Sequence, residues 1–231
     1  MPRETIVMLS RRAKASFYSV AGPMMWANGL RHRLFPRKVG GPLRVHLGPG
    51  QRNYVDGWIN VDANIFTARC DVWADMRNAL PFRDASVDAL YSHHVIEHLP
   101  DLEAHFKDAF RCLRPGATYR VAGPNGDSAI RKFVEKDTAW FGDFPNSRTS
   151  IGGRFENFIF CAREHVTILT QSYLEEIMSE IGFTDLVTRL PVRDTGQPDV
   201  FGPCLAYEFE SDFDVPHTLV VEARKPQSSI C

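Results

Sequence analysis

Two glycines and one aspartate near the start of the chain are the first residues whose spacing indicates chemistry. The stretch VHLGPGQRNYVDGWINVD begins with an apolar run, turns at Gly48-Pro49-Gly50, and closes a second apolar run with Asp62. Because glycine has no side chain, such a turn allows the backbone to approach a ligand closely. A carboxylate after the next strand can accept hydrogen bonds from both hydroxyls of a ribose. The stretch therefore predicts a ribose-containing ligand, although a purely structural turn would use the same residues.

The spacing between the glycines and the acid distinguishes between nucleotide ligands. In the nicotinamide-cofactor fingerprint the acid follows the glycines by about 20 residues, and a third glycine allows close helix packing. Here Asp62 stands 14 positions after Gly48, and the third-glycine position falls near Arg52. This leaves little room for a helix that cradles a pyrophosphate. The spacing favours a ligand with ribose but no pyrophosphate, and an NAD(P)-dependent oxidoreductase or epimerase stays as the alternative.

The elements that must position these residues alternate between short apolar runs and helix-like stretches, which is typical of a parallel sheet covered by helices. Two late strands predict an antiparallel hairpin at one edge of the sheet, and a long aromatic-rich stretch without a clean period is predicted as a functional or mobile loop. The fold class is α/β. The predicted strands are 43–47, 58–61, 70–73, 87–91, 118–122, 205–209 and 218–223, the helices 102–113 and 170–182, and the loop 129–161.

The order of motifs resembles a known family. Five motifs carry the resemblance to class I S-adenosylmethionine-dependent methyltransferases, namely VHLGPG, GWINVD, ADMRNALPFRDASVDALYSHHVIEHL, AFRCLRPGATYRVAGPN and SYLEEIMSEIGF. They are most similar to the type 11 group and its bacterial branch associated with glycan or small-molecule biosynthesis. The resemblance runs from about residue 43 to 122 and more faintly to 225. It implies a Rossmann-like, doubly wound, mostly parallel sheet, S-adenosylmethionine as cofactor, and methyl transfer to oxygen, nitrogen or carbon of a small-molecule or saccharide acceptor.

The resemblance also implies a set of cofactor-binding residues that follow the strands. Asp62 would bind the ribose hydroxyls and Asp75 the adenine amino group, while Ser92 and His93 would lie near the sulfonium. His46 stands where many relatives have an acid, so its contact to the methionine ammonium is open. One crevice can collect these residues, because open α/β sheets bind ligands at the carboxyl ends of their strands. The full implied set is His46, Gly48, Gly50, Asp62, Ala63, Asp75, Met76, Ser92 and His93.

Histidines supply the candidate bases, because imidazole accepts a proton near neutral pH. His93 is the first choice since it lies nearest the expected sulfonium, and His165 is the second, from the acceptor-side segment. The stretch HVIEH, residues 94–98, matches the H-x-x-E-H pattern of a zinc protease class. It is very short, follows a strand directly and is ended by Pro100. We therefore interpret it as part of the methyltransferase motif and assign it no metal ligands, while any metal requirement of the protein stays open.

The charge is even overall but uneven along the chain. The 27 basic and 28 acidic side chains balance, whereas residues 1–40 contain eight basic residues and one acid. Their formal charge of +7 and interleaved apolar residues predict a basic N-terminal arm that packs on the domain or lies against an anionic surface such as a membrane. The basic residues are Arg3, Arg11, Arg12, Lys14, Arg31, Arg33, Arg37 and Lys38, and the acid is Glu4.

The rest of the chain, residues 41–231, is predicted as the methyltransferase domain, with 127–165 as an acceptor-side lid or insertion. The acidic balance of this domain and the absence of an Asn-Pro-Pro-Tyr type stretch give no support for a nucleic-acid partner. The odd number of widely spaced cysteines indicates reduced thiols in a cytoplasmic protein. A homodimer is one expected assembly. A catalytically silent relative that only binds a partner stays as an alternative function. The cysteines are Cys70, Cys112, Cys161, Cys204 and Cys231.

Overall fold

The computed structural model describes residues 11–37, 39–66 and 68–227, with side chains from residue 16 onward. Several residues of the predicted arm and one cysteine lie outside the described part: Arg3, Glu4, Lys38 and Cys231, together with the side chains of Arg11, Arg12 and Lys14. The helices are α1 (Arg11–Leu34), α2 (Leu102–Cys112), α3 (Gly126–Val134), α4 (Ile151–Phe160), α5 (Gln171–Ile181) and α6 (Pro198–Leu205). The strands are β1 (Arg44–Leu47), β2 (Ile59–Asp62), β3 (Val72–Trp73), β4 (Val87–His93), β5 (Leu113–Pro124), β6 (Thr184–Arg189) and β7 (Thr218–Arg224).

The strands form one sheet of seven in the order β3-β2-β1-β4-β5-β7-β6. The first five are parallel, and β7 pairs antiparallel with both β5 and β6. This confirms the predicted Rossmann-like, mostly parallel sheet with an antiparallel pair at its C-terminal edge. The prediction of a strand at 205–209 was wrong, because the antiparallel partner of β7 is β6, and residues 205–209 form the end of α6 and the turn after it.

Successive residues of β4 face opposite sides of the sheet, so helices can cover both sides. Leu90 belongs to the large core that contains residues of α2 and α5. Ala89 and Tyr91 belong to a second core with Phe201 and Cys204 of α6. The sheet is therefore covered on both faces, as the doubly wound class requires.

Local signals define the helices α2 and α5 as predicted. The Asp101 side chain accepts a hydrogen bond from the Ala104 amide at 2.8 Å, which caps the first turn of α2. The Thr170 side chain caps α5 in the same way. Gly182 ends α5 with a φ of 110°, in the left-handed region that favours glycine.

The stretch predicted as a long loop contains two helices, so that prediction is wrong over much of its length. Asn125 caps α3 by accepting from the Ser128 amide, and Ser150 caps α4 by accepting from the Gly153 amide. Their apolar residues pack in a separate aromatic cluster and not on the sheet. The cluster contains Ala129, Trp140, Phe141, Ile159 and Val215, with Ile151, Phe155 and Phe158 packed against it.

The N-terminal helix α1 lies along the β3 edge of the sheet. Ala21 and Met25 are buried against the residues that follow β2 and end β3. Asn28 fixes this contact, because its amide group donates to the Trp73 carbonyl at 2.9 Å. The other side of α1 leaves Trp26 and Leu34 exposed. Within the described ranges, no helix combines the length and the apolar character that crossing a bilayer would require.

Candidate active site

The carboxyl ends of β1 to β4 meet at one edge of the sheet, where the sequence placed its cofactor residues. Gly48, directly after β1, donates its amide to the Val61 carbonyl of β2 at 2.8 Å. It has a φ of 70°, and a Cβ at this position would lie 2.3 Å from Cγ2 of Val95. Only glycine fits here, because both the backbone conformation and the close approach exclude a side chain. Gly50 has a φ of 55° and open space where a Cβ would lie.

Asp62 is the last residue of β2, and its carboxylate links the loop after β1 to the loop after β2. One of its carboxylate oxygens accepts from the Gly50 amide at 3.0 Å and the other from the Asn64 amide at 2.8 Å. Burial raises the pKa of this carboxyl group, and the backbone hydrogen bonds oppose the rise. The neighbouring Ala63 is buried and accepts from the Trp73 indole at 2.8 Å. The aspartate is thus a fixed acceptor at the centre of the edge.

Asp75 follows β3 and is engaged by an arginine that the sequence reasoning missed. Both oxygens accept from the Arg77 guanidinium, the shortest contact being 2.6 Å to Nη2. The guanidinium carbon lies 3.7 Å from the centre of the Tyr18 ring of α1. Helix α1 therefore lies close to the residues after β2 and β3. Met76 is half-buried and packs against the main core.

His46 and Ser92 are fully buried and bonded within the protein. His46 donates from Nδ1 to the Asn60 side-chain oxygen at 3.0 Å, so its Nε2 carries a lone pair, and this atom has no hydrogen-bond partner among the described residues. Burial lowers the pKa of His46 to about 4, although the Asn60 hydrogen bond opposes the change. The Ser92 hydroxyl lies 2.9 Å from the Tyr119 hydroxyl on the α2 side of the sheet.

His93 is the last residue of β4 and is 9% exposed. Its Nε2 is buried and has no hydrogen-bond partner within the described part of the chain. Burial and the nearby His94 and His46 lower the pKa of His93 well below its usual value. His93 is therefore neutral near pH 7 and presents a free nitrogen at the end of the strand.

A cavity of about 740 Å³ opens beside His93, and we call it the acceptor cavity. One wall carries Trp140, whose ring stacks on His217 at 4.1 Å between centroids. The His217 nitrogens donate to Glu210 and to the Trp140 carbonyl, both at 2.8 Å, so this ring is held as an imidazolium. Residues that line the cavity are His93, His94, Pro124, Ala139, Trp140, Gly142, Phe144, Asn157, Phe158, Cys161, His165, Phe209, Glu210, Ser211, Asp212, His217 and Thr218.

The structure brings His165 to the same cavity, but with its ring turned toward Glu97. His165 Nε2 lies 3.9 Å from a Glu97 carboxylate oxygen. His94 has a φ of 54°, so the HVIEH stretch does not form a helix from this residue. The Nδ1 of His94 donates to a Glu97 carboxylate oxygen at 3.0 Å. His98 donates to the Glu164 carbonyl at 3.0 Å. The sequence alone could not bring Glu97, His98 and His165 together, because His165 follows α4 and only the fold brings it to the end of β4.

Comparisons with known proteins cover a limited part of the chain in sequence and most of it in structure. A family model described as "Methyltransferase domain" matches residues 60–121. A "Probable S-adenosylmethionine-dependent methyltransferase" of Mycolicibacterium smegmatis is 48% identical over 46 residues, which is 20% of this chain and 18% of that protein. The "24-methylenesterol C-methyltransferase 2" of Oryza sativa subsp. japonica is 34% identical over 91 residues, 35% of this chain and 25% of that protein.

The fold is similar to that of a SAM-dependent methyltransferase from Thermotoga maritima, with a TM-score of 0.52 and 17% identity. That similarity covers 92% of this chain and 95% of the other. The curated relatives are matched over a quarter of their length or less. The family match, which spans β2 to β5, and the structural similarity together confirm the resemblance seen in the sequence. Residues 60–121 are thus similar to a methyltransferase domain, and the fold of the chain is that of a solved SAM-dependent methyltransferase.

Proposed function

We propose that this protein transfers a methyl group from S-adenosylmethionine to a small-molecule or saccharide acceptor held in the acceptor cavity. One observation carries the proposal. His93 ends β4 among the strand ends where the cofactor residues gather, and it also lines the acceptor cavity. A methyl donor at the strand ends and an acceptor in the cavity would therefore meet at His93.

The residues at the strand ends fit a nucleoside with a positively charged amino-acid tail. Gly50 leaves open space where a side chain would stand, so a ligand can approach its backbone. Backbone amides hold both carboxylate oxygens of Asp62, and the carboxylate keeps lone pairs for the hydroxyls of a ribose. The unpartnered Nε2 of His46 is a buried acceptor in the position where relatives have an acid. S-Adenosylmethionine, when bound, supplies a methyl group that is already activated on a sulfonium.

The protein's own contribution is alignment, exclusion of water and acceptance of a proton. Alignment is the larger part, because methyl transfer needs the acceptor atom in line with the activated methyl. The aromatic wall with Trp140, Phe144 and Phe158 keeps water away from the acceptor. Where the acceptor atom carries a proton, we propose that Nε2 of His93 takes this proton. This nitrogen is neutral near pH 7 but weakly basic, so an acceptor group of lowered pKa suits it best.

The acceptor-side segment is residues 127–165. It contributes eight of the residues that line the cavity, including aromatic rings and the buried amide of Asn157. The other wall carries Asp212 and the ion pair of Glu210 with His217. This combination suits a ring-containing acceptor with hydroxyl groups, because rings stack on aromatic side chains and the carboxylate of Asp212 can accept from hydroxyls.

Isothermal titration calorimetry with S-adenosylmethionine, S-adenosylhomocysteine and NADH tests the proposal. We expect one site for each of the first two ligands and no heat with NADH. Transfer of a labelled methyl group into a panel of hydroxylated acceptors, followed by mass spectrometry of the product, then identifies the acceptor atom. Binding of NADH alone would overturn the proposal in favour of an oxidoreductase.

A further inference from the structure

Three side chains with metal-ligating atoms meet beside the acceptor cavity. Glu97 and His98 lie in a short 3₁₀ turn (Ile96–His98) after β4, and His165 follows α4. One ligand atom from each of the three lies within 4.8 Å of the others. The Val166 amide donates to the Glu97 carbonyl at 2.8 Å and holds the two segments together. We call Glu97, His98 and His165 the Glu97 cluster.

Backbone hydrogen bonds set both imidazoles of the cluster in the same tautomer. His98 Nδ1 lies 3.0 Å from the Glu164 carbonyl, and His165 Nδ1 lies 2.9 Å from the Ile159 carbonyl. A carbonyl oxygen only accepts, so each Nδ1 carries the hydrogen and each Nε2 carries a lone pair. Metal-binding histidines are oriented by this kind of hydrogen bond to the opposite ring nitrogen. The two rings are therefore prepared as ligands.

The carboxylate of Glu97 is buried, and its bonding is incomplete. One oxygen accepts from His94, whereas Oε2 is buried and has no hydrogen-bond partner within the described ranges. A buried carboxylate oxygen without a partner is costly. A cation bound between this carboxylate and His165, whose Nε2 lies 3.9 Å from Oε1, would offset part of that cost. Two lone-pair nitrogens and one carboxylate then form the ligand set.

We propose that the Glu97 cluster binds one first-row transition dication of the Zn²⁺, Co²⁺ and Mn²⁺ class. Two imidazoles and one carboxylate suit these ions, whereas Mg²⁺ and Ca²⁺ prefer oxygen ligands throughout. Three protein ligands leave further coordination positions open, as in catalytic metal sites.

The second part of the inference concerns what the cation does. Of the three ligands only His165 lines the acceptor cavity, and we place the open coordination positions on that side. The cation binds a hydroxyl oxygen of the acceptor and lowers the pKa of that hydroxyl, which suits a weak base such as His93. This second part rests on the proposed function, whereas the metal site does not.

Titration with Co²⁺ alone, followed by visible absorption, tests the site. We expect one equivalent to bind with d–d bands, and Glu97→Gln and His98→Ala each to weaken binding by about 100-fold or more, since loss of an outer-shell partner alone costs about 10–100-fold. His98 is exposed, so His98→Ala keeps the fold even where the buried Glu97→Gln variant does not. His32→Asn on α1 is the matched control and should bind like the wild type. Equal Co²⁺ affinity in His98→Ala and the wild type, or displacement of Co²⁺ by Mg²⁺, would overturn the proposal.

Two further measurements separate this site from the proposed function. Acetohydroxamate, a small oxygen ligand for metals, should change the Co²⁺ spectrum of the wild type if coordination positions are open. An unchanged spectrum would overturn the acceptor part of the inference. S-Adenosylmethionine binding is measured by calorimetry on the metal-free protein. Co²⁺ binding without cofactor binding would refute the proposed function and leave the metal site intact, and the reverse result would refute the metal site alone.

Discussion

Replacement of Gly48 by alanine should destabilise the protein through two separable effects. Gly48 has a φ of 70°, and the left-handed region costs an L-residue about 1–2 kcal/mol. The new Cβ would also lie 2.3 Å from Cγ2 of Val95, and such overpacking costs about 1–3 kcal/mol. We therefore expect the free energy of unfolding to fall by about 2–5 kcal/mol.

Gly50 is the matched control, because its backbone is equally left-handed but the space around it is open. It has a φ of 55° and no atom within 4 Å of an added Cβ. Gly50→Ala should therefore lose only the backbone part, about 1–2 kcal/mol. The same variant should weaken S-adenosylmethionine binding, since the open space is where we place the ligand.

A double-mutant cycle with Val95→Ala isolates the contact. Removal of the Val95 methyl groups leaves its Cβ 3.6 Å from the added one at Gly48, which is an ordinary contact. Urea denaturation of the wild type, both single variants and the double variant should give a coupling of about 1–3 kcal/mol in the direction of rescue. Equal losses for Gly48→Ala and Gly50→Ala, or a coupling below about 0.5 kcal/mol, would refute the reasoning.

Three further predictions concern charge. Arg120 is fully buried and bonded to Glu208 by two 2.8 Å contacts and to Glu222 by a third. Glu208→Ala leaves Glu222 as the partner of Arg120, so it should lower the free energy of unfolding in urea by about 1.5–3 kcal/mol; a loss below about 1 kcal/mol would contradict this. Asp62→Asn should weaken S-adenosylmethionine binding in calorimetry by about tenfold or more, whereas the exposed Asp84→Asn should not. Burial lowers the pKa of His217, but hydrogen bonds to the Glu210 carboxylate and the Trp140 carbonyl outweigh it and raise the pKa above 6.5. The stabilisation that protonated His217 contributes is therefore complete below pH 6.5 and is lost as pH rises through the pKa of the folded state. The unfolding free-energy difference between wild type and His217→Gln should therefore shrink with rising pH, and a constant difference would contradict it.

Local signals made the central strands and two helices predictable from the sequence. The apolar runs of β1 and β4 are buried on both faces, and α5 has a capping residue at one end and a glycine at the other. These features depend on neighbouring residues alone. The positions of Gly48 and Asp62 at strand ends follow directly from them.

The misassigned parts depend on contacts between distant residues. The first turn of helix α4 contains Gly152 and Gly153, which disfavour helix, and packing in the aromatic cluster stabilises it. Strand β6 is exposed along most of its length and has an irregular register, so it shows no alternation. The apolar residues at 205–209 looked like a strand, but this segment covers the sheet and delivers Glu208 to Arg120.

The stretch HVIEH contributes residues to the proposed metal site without forming the helix that such a pattern requires. On a helix, histidines four residues apart share a face and bind a metal together. Here His94 adopts a left-handed conformation, and the following 3₁₀ turn is only three residues long, so no helix aligns His94 with His98. His94 instead supports Glu97 by a hydrogen bond, and the second imidazole beside Glu97 and His98 comes from His165. HVIEH therefore forms no helical zinc site, and the proposed site depends on tertiary contacts that the pattern does not contain.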